Sequence, residues 1–471
     1  MELVCPAGNA EKLSYAYAYG ADTAYFGMNG LSLRAKADNF YAKDAEIVKK
    51  IKAQFPKKRL FCALNIAFHE GDLDSFRRRL DEFKAYPIDA FIVQDLGLVR
   101  LLQKEFPSAR LHLSTQASCT NSEAVKMYKD LGFDRVVLAR EVSLNEIRRI
   151  KDAVPEMELE CFAHGAMCIA YSGRCLLSAY LTARSAQAGL CTHACRWNFD
   201  VKADAKNLAE SASLVLEESE RKGEYFPVFE GENFTAILSS KDLKMIDHLE
   251  EMKKAGIDAI KIEGRMKSAY YVALVSRAYR KALDALEGKI SKEEATPFVR
   301  SLDEVAHRKG TTGFYFSRAK ANETSSGESD SPYLLAALVQ NEIPQNEENA
   351  ARNIGEEIVL SDAENLKKMH VEARKAEERN RAAHPEKNVQ IAKRKEGWKA
   401  FHIRALNHVK SGTQIEIVSP SAPTQILLEN DYDFVDPRSF ALQNWINADH
   451  ESALYTGKEI PPYSLIRVKT A

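Results

Sequence analysis

Four short runs decide the fold of this chain: Ala90-Phe-Ile-Val-Gln94, Leu111-His-Leu-Ser-Thr115, Arg135-Val-Val-Leu-Ala139 and Leu159-Glu-Cys-Phe-Ala163. Each is dominated by β-branched, aromatic or leucine side chains, and each is followed by room for one helix. The intervening stretches Ser122–Leu131 and Leu144–Ala153 carry apolar residues three and four apart, the helical period. Strand then helix, repeated, means a parallel sheet, because every parallel crossover needs a covering helix. Working outward, the alternation extends back through Leu60–Ile66, Thr23–Phe26 and Glu2–Cys5, with helices at Ala45–Ala53 and Leu73–Tyr86. It returns much later at Ala259–Glu263. Eight such units close a TIM-like (β/α)8 barrel. An open doubly wound sheet competes, since periodicity does not separate the two; the barrel is the favoured reading.

Between the seventh strand and the last lies an insertion of roughly 90 residues, where a βα connection usually takes a few. Its functional part, about 165–235, holds a cysteine cluster and then a charged stretch near Glu217–Glu232. In a barrel this insertion leaves from the catalytic face. Residues 1–320 are therefore expected to form the catalytic barrel. Residues 321–398 read as linker, strand and charged arm, with Ser, Gly and acids at Thr324–Ser331 and Glu, Lys, Arg and Ala along Asn341–Trp398. Residues 399–471, with the alternating runs Phe401–Ile403, Gln414–Val418 and Ser464–Val468, predict a small C-terminal β-barrel domain.

The chain has 471 residues, 45% hydrophobic and 28% charged, which suffices for a large core. Its net charge of −1 argues against a protein that coats nucleic acid and leaves room for a local basic patch. The opening Met1-Glu-Leu-Val-Cys-Pro6 lacks the basic and apolar regions of a signal peptide, and no apolar run is long enough for a membrane helix. A cytoplasmic location is expected, where thiols stay reduced. All 8 cysteines must then be core residues, catalytic thiols or metal ligands.

Four of them fall in one segment, Cys168-Ile-Ala-Tyr-Ser-Gly-Arg-Cys175 followed by Cys191-Thr-His-Ala-Cys195. Thiolates select zinc or iron–sulfur clusters. Structural zinc prefers paired short knuckles, and only the second pair has that spacing. Cluster, zinc and plain buried cysteines all stay open on spacing, with a cluster favoured. A second group lies at or just beyond the C-terminal ends of the expected strands: Asn65, His69, Ser114, Gln116, Arg140, Glu141, His164, Glu263 and Arg265. That rim is where barrels do chemistry, although each residue alone could equally cap a helix or bond a loop carbonyl. A third is Ile262-Glu-Gly-Arg-Met-Lys-Ser268, whose Arg265 and Lys267 would suit an anion at a helix start. His307-Arg-Lys-Gly-Thr-Thr-Gly-Phe314 has the makings of a basic loop, and Pro6-Ala-Gly8 is most simply a turn. The candidate catalytic residues are thus His164, Arg174, Glu263 and Arg265. The candidate substrate contacts are Asn65, His69, Gln116, Lys267 and His307.

Glu160-Cys-Phe-Ala-His-Gly-Ala-Met-Cys168 through Gly173-Arg-Cys-Leu-Leu-Ser178 resembles the signature of the U32 peptidase-like family. The likeness runs from Leu3-Val-Cys-Pro-Ala-Gly8, through Ser114-Thr-Gln116 and Lys261-Ile-Glu-Gly-Arg265, to Ala306-His-Arg308 and Thr312-Gly-Phe314, so it spans roughly residues 1–318. Within the family the chain looks most like the members that hydroxylate tRNA at carbon 5 of the wobble uridine. The resemblance implies a 4Fe–4S cluster on Cys168, Cys175, Cys191 and Cys195, with prephenate as co-substrate and no molecular oxygen. It makes the tRNA anticodon loop the expected partner, its base flipped into the site. Arg174, Arg184, Arg196, Arg265 and Lys267 would form a confined basic rim, and the small β domain would help to hold the RNA. Relatives that hydroxylate ribosomal RNA cytidine share the cysteine segment and supply one alternative; a collagenase-like peptidase is another. No Ser–His–Asp grouping or zinc-protease helix motif supports the peptidase.

Overall fold

The computed structural model describes residues 1–33, 38–182, 184–188, 190–196, 215–217, 225–227, 229–231, 234–236, 240–317, 331–343, 390–448 and 450–470. The chain divides into two units, Met1–Asp330 and Ser331–Ala471. Most of the arm expected over Asn341–Trp398, the linker Thr324–Ser331 apart from Ser331, and most of the charged stretch Glu217–Glu232 lie outside the described residues.

In the first unit, β1 (Glu2–Pro6), β2 (Thr23–Phe26), β3 (Arg59–Leu64), β4 (Ala90–Val93), β5 (Arg110–Leu113), β6 (Arg135–Val137) and β7 (Glu158–Ala166) pair in parallel, in chain order. A short strand, β8 (Asp242–Lys244), precedes β9 (Ala259–Ile262), which is parallel to both β7 and β1. That double pairing closes an eight-stranded TIM-like barrel and excludes the open sheet. Helices cover it as the periodicity predicts. Leu144–Ala153 buries Leu144, Ile147 and Ile150 and starts in a capping box, with Glu146 N donating to Ser143 Oγ (3.3 Å) and Ser143 N to Glu146 Oε2 (2.9 Å). The helix expected over Leu73–Tyr86 is two shorter ones, Glu70–Arg78 and Leu80–Lys84. They break at Arg79, whose guanidinium is tied to the Asn29 carbonyl at 2.9 Å.

The insertion after β7 contributes an element that periodicity did not reveal. β8 runs antiparallel to the end of β7, and β10 (Gly310–Thr311) adds to it in parallel. Buried Arg308 donates from its backbone (3.0 Å) and from Nε (3.2 Å) to the Asp242 carboxylate. The segment expected as a basic loop is therefore a structural clasp at this point.

The barrel interior departs from the usual branched aliphatic layers. Val4, Tyr25, Phe61, Ala63, Ala90, Ile92 and Ala259 form an apolar girdle. Beside it Glu160, fully buried, accepts from Arg135 Nη1 (2.9 Å) on one side and Lys261 Nζ (2.7 Å) on the other. Arg135 also reaches Glu158 through Nε (2.8 Å) and Glu2 through Nη2 (2.5 Å). Burial pushes the Glu160 carboxyl up, but the two cations outweigh it and hold it below the ordinary carboxylate range. His112, wholly buried against the Phe61 ring with centroids 4.6 Å apart, has no hydrogen-bond partner at either ring nitrogen among the described residues.

The second unit is a seven-stranded antiparallel half-barrel sheet. Its spatial order is Gln425–Leu427, Ile415–Val418, Leu465–Lys469, Tyr333–Glu342, Lys399–Ala405, Glu451–Thr456 and Tyr432–Val435. Tyr333–Glu342 lies at its centre, so the strand read as part of the linker region belongs to this sheet. Ala337, Phe401, Ile403, Ile417, Leu454 and Ile466 fill one face. Buried Arg467 donates to Glu416 at 2.6 Å and lies 3.7 Å from the Tyr333 ring centroid.

Burial and the neighbouring arginines drive the His112 pKa well below 6.5, so the ring folds in as a neutral group. A base that is less basic when folded contributes full stability above pH 6.5 and loses it as the pH falls below that. Replacing His112 by Leu should remove two orphaned polar atoms and raise stability by about 1–2 kcal/mol at neutral pH. It should also flatten the decline between about pH 6.5 and 4.5. Denaturant titrations across that range check both; an unchanged acid limb would show that His112 carries no such linkage.

Candidate active site at the barrel mouth

Beyond β7 the chain turns across the C-terminal mouth, and a set of short bonds ties the cysteine-bearing loop to the rim. Ser172 N donates to Glu141 Oε1 (2.9 Å), and its Oγ accepts from Arg140 N (3.4 Å). Ser118 Oγ donates to the Ser172 carbonyl. Gln187 Nε2 donates to the Gly173 carbonyl (2.8 Å), while the Gln187 carbonyl accepts from Ala67 N (3.1 Å). Gly173 has φ +72°, and a Cβ there would collide with the Gln116 carbonyl oxygen. Only glycine satisfies both the handedness and the contact.

Beneath this loop is a cavity of about 60 Å3. Its polar wall is Asn65, Ser114, Thr115, Gln116, Arg140, Lys261, Glu263 and Arg265, its apolar wall includes Tyr25, Leu33 and Phe162, and Cys168 closes one side. Asn65 Oδ1 accepts from Leu33 N at 3.2 Å, and its carbonyl accepts from Gln94 Nε2 at 2.9 Å. Arg265, buried, donates to Ser32 Oγ at 3.1 Å. Its own carbonyl approaches Gly8 so closely that a Cβ there would clash, which is why the Pro6-Ala-Gly8 turn ends in glycine. Lys261 Nζ sits 4.5 Å from the centroid of the Tyr25 ring. The Arg140 guanidinium lies 4.0 Å from the Phe162 ring centroid.

Of the sequence candidates, Asn65, Gln116, Glu263, Arg265 and Cys168 meet at this cavity. Ser114 and Arg140 of the strand-end group line it too, whereas His69, Glu141, His164, Arg174, Lys267 and His307 do not. The register of β7 against β9 shifts by one residue, placing Phe162 opposite Lys261 but His164 opposite Ile262. The bulge turns His164 out of the barrel. There it is buried among helix side chains, Nδ1 3.3 Å from Tyr279 Oη, and burial lowers its pKa to about 3. Arg174 is exposed on the loop. His69 precedes the helix Glu70–Arg78 and donates its backbone N–H to Asp72 Oδ2 (3.0 Å). Lys267 donates to the Ala306 carbonyl (3.3 Å), and His307 Nδ1 lies 2.9 Å from the Arg308 carbonyl. Ser268 caps the helix Ala269–Leu286 by accepting from Tyr271 N (3.2 Å), so the start of that helix is already occupied by its own side chain. The Arg196 side chain lies outside the described residues.

Lys261 was missed among the candidates, although its signal is legible: a lone charge between Ile260 and Ile262 inside a parallel barrel strand must face inward and be paired. Glu160, between Leu159 and Cys161, carries the same signal.

The eight cysteines separate cleanly. Cys5, Cys62, Cys119 and Cys161 are buried, and burial pushes the Cys119 thiol up to about 11 and the Cys5 thiol up to about 12. These are the small hydrophobes of the core. Cys168 is exposed, and Cys175, Cys191 and Cys195 are partly so, all on the one loop. His193 N donates to Cys191 Sγ at 3.4 Å, the kind of N–H···S contact that supports a metal-bound thiolate. Among the described residues no three His, Cys, Asp or Glu side chains converge at ligand distances. All four are accessible thiols on one loop, the donor chemistry that a thiolate-held group needs.

The Gly173→Ala variant should release the loop from the rim while leaving the barrel core intact. If the loop cysteines hold iron, the iron content after anaerobic purification should fall several-fold, with a far-ultraviolet spectrum like that of the wild type. A Gly173→Ala protein with unchanged iron would show that this anchor does not position the cysteines.

The profile of Peptidase family U32 matches residues 8–325. The tRNA hydroxylation protein P of Escherichia coli is 39% identical over 337 residues, covering 66% of this chain and 74% of its own. The 23S rRNA 5-hydroxycytidine C2501 synthase of the same organism is 32% identical, covering 72% of this chain and 48% of its own. A collagenase of Porphyromonas gingivalis is 31% identical, covering 67% and 73%. Among the described residues no helix is long and apolar enough to cross a membrane.

Proposed function

Because this chain belongs to peptidase family U32, we propose that it is a cytoplasmic tRNA-modifying enzyme that hydroxylates carbon 5 of the wobble uridine, with prephenate as co-substrate and a 4Fe–4S cluster held by Cys168, Cys175, Cys191 and Cys195. One observation carries this reading: the loop with the four accessible cysteines is tied across the barrel mouth, and Cys168 lines the same cavity as Arg140, Lys261, Glu263 and Arg265. Relatives whose names specify RNA hydroxylation support the RNA substrate. The greater identity to the tRNA protein, 39% against 32%, favours tRNA over ribosomal RNA.

When bound, the cluster supplies electron transfer at the mouth of the barrel. The protein's own residues do the positioning. A uracil stacked in an anticodon loop cannot reach a cavity recessed in a barrel, so the nucleotide leaves the stack and enters from the mouth. Asn65 and Gln116 stand on the polar wall where the edge of a base can be read, and Glu263 is the carboxylate available to accept or return a proton there. His164, buried and neutral outside the barrel, takes no part in proton transfer at the cavity.

Deleting the gene and digesting tRNA and ribosomal RNA separately for nucleoside mass spectrometry tests this reading. Loss of 5-hydroxyuridine and its alkylated derivatives from tRNA alone is expected, with rescue by the wild type but not by Cys175→Ser. Loss of hydroxycytidine from ribosomal RNA, with tRNA unchanged, would reassign the substrate. Intact profiles in both RNAs, together with iron-independent cleavage of denatured collagen by the purified protein, would replace hydroxylation by the peptidase activity that the collagenase's name specifies.

A further inference from the structure

Arg140 is only 8% exposed, yet among the described residues its guanidinium meets no carboxylate and no hydrogen-bond acceptor. It lies on the Phe162 ring and faces the cavity. A buried guanidinium without an anion is costly unless a ligand completes it. Two further cations share the cavity wall. Lys261 is held at the floor by Glu160, itself fixed by Arg135, and Arg265 is held by Ser32. Glu263 is the one carboxylate in the lining among the described residues.

We propose that Arg140, with Lys261 and Arg265, forms a carboxylate-receiving site for the small organic acid consumed in the reaction, and that Glu160 is a positioning residue that holds Lys261 at that site. This rests on the reading of the chain as a hydroxylase with a small-molecule co-substrate. Three cations share one cavity wall with a single carboxylate among the described residues, an excess of positive charge that an organic acid would complete. The planar guanidinium of Arg140 suits two-point recognition of a carboxylate. Asn65 and Gln116, which line the same cavity, are then left to meet the RNA base. The RNA and the acid are recognised by different residues.

The test uses anaerobically purified, iron-replete full-length protein with prephenate and unmodified tRNA. Arg140→Gln and Lys261→Gln should each raise KM for prephenate, and its Kd by calorimetry, about tenfold or more. The affinity for tRNA should stay within about twofold, and Arg140→Lys should recover part of the loss. Glu160→Gln should shift KM for prephenate in the same direction while leaving tRNA affinity alone. Melting temperature and iron content identify any variant that has merely unfolded, and Arg140→Gln, outside the buried ion network, guards against that outcome for Lys261→Gln. Unchanged prephenate KM and Kd in folded Arg140→Gln and Lys261→Gln proteins that still hydroxylate tRNA would overturn the site alone. Tight prephenate binding lost in both variants, in a protein with no activity on any RNA, would keep the site and overturn the RNA reading. Displacement of prephenate by inorganic phosphate at equal concentration would overturn the assignment to a carboxylate.

Discussion

Glu160 stands where three strands of the barrel must agree. Its carboxylate is fully buried on β7, with Arg135 of β6 at 2.9 Å on one side and Lys261 of β9 at 2.7 Å on the other. A buried carboxylate with both cations in place is compensated; with both removed it becomes an uncompensated charge that costs about 3–5 kcal/mol. The barrel can close only in the register that brings β6, β7 and β9 together around this group. Arg135 extends the constraint to β1 through Glu2. The ionic layer thus sets register across the seam where the last strand meets the first, the point at which a sheet otherwise remains open.

The same layer is the floor of the cavity. Lys261 belongs to both, bonded below to Glu160 and facing above the space that Arg140, Glu263 and Arg265 surround. The roof comes from a different part of the chain. The cysteine loop leaves β7 and is bonded back to the rim at Ser118, Arg140, Glu141 and Ala67, with Gly173 packed against the Gln116 carbonyl. Floor and roof are both tied to β7, so the spacing between the cations and Cys168 is fixed by one strand.

Membership of family U32 is compatible with names that point in different directions, RNA hydroxylation and collagenase. Peptide hydrolysis needs an activated nucleophile or a metal-bound water with an adjacent base. Here His164 is turned away from the barrel and held neutral, while Arg140, Lys261 and Arg265 share the cavity with amides and an apolar wall. A cationic recess beneath a thiol-bearing loop is better matched to an anionic co-substrate and a thiolate-held group than to a scissile peptide.

Much of this was legible in the residues. The repeated apolar runs and helical periods specify parallel strand–helix units, because hydrogen-bonding geometry and burial act locally. The four loop cysteines stand apart from the other four by being packed into one segment, and the structure separates them by exposure in the same way. The rim residues Asn65, Gln116, Glu263 and Arg265 follow from strand ends alone. What the chain order could not reveal depends on contacts between distant residues. Closure required β9 to meet both β7 and β1. One extra residue in β7 relative to β9 turned His164 outward, since side-chain direction reverses with each residue of register. Asp242 and Arg308, 66 residues apart, made a clasp of a segment that reads as a basic loop. That Arg140 meets no anion among the described residues emerges only once the strands around it are assembled, because whether a charge has a partner is a property of the packed barrel and not of its neighbours in sequence.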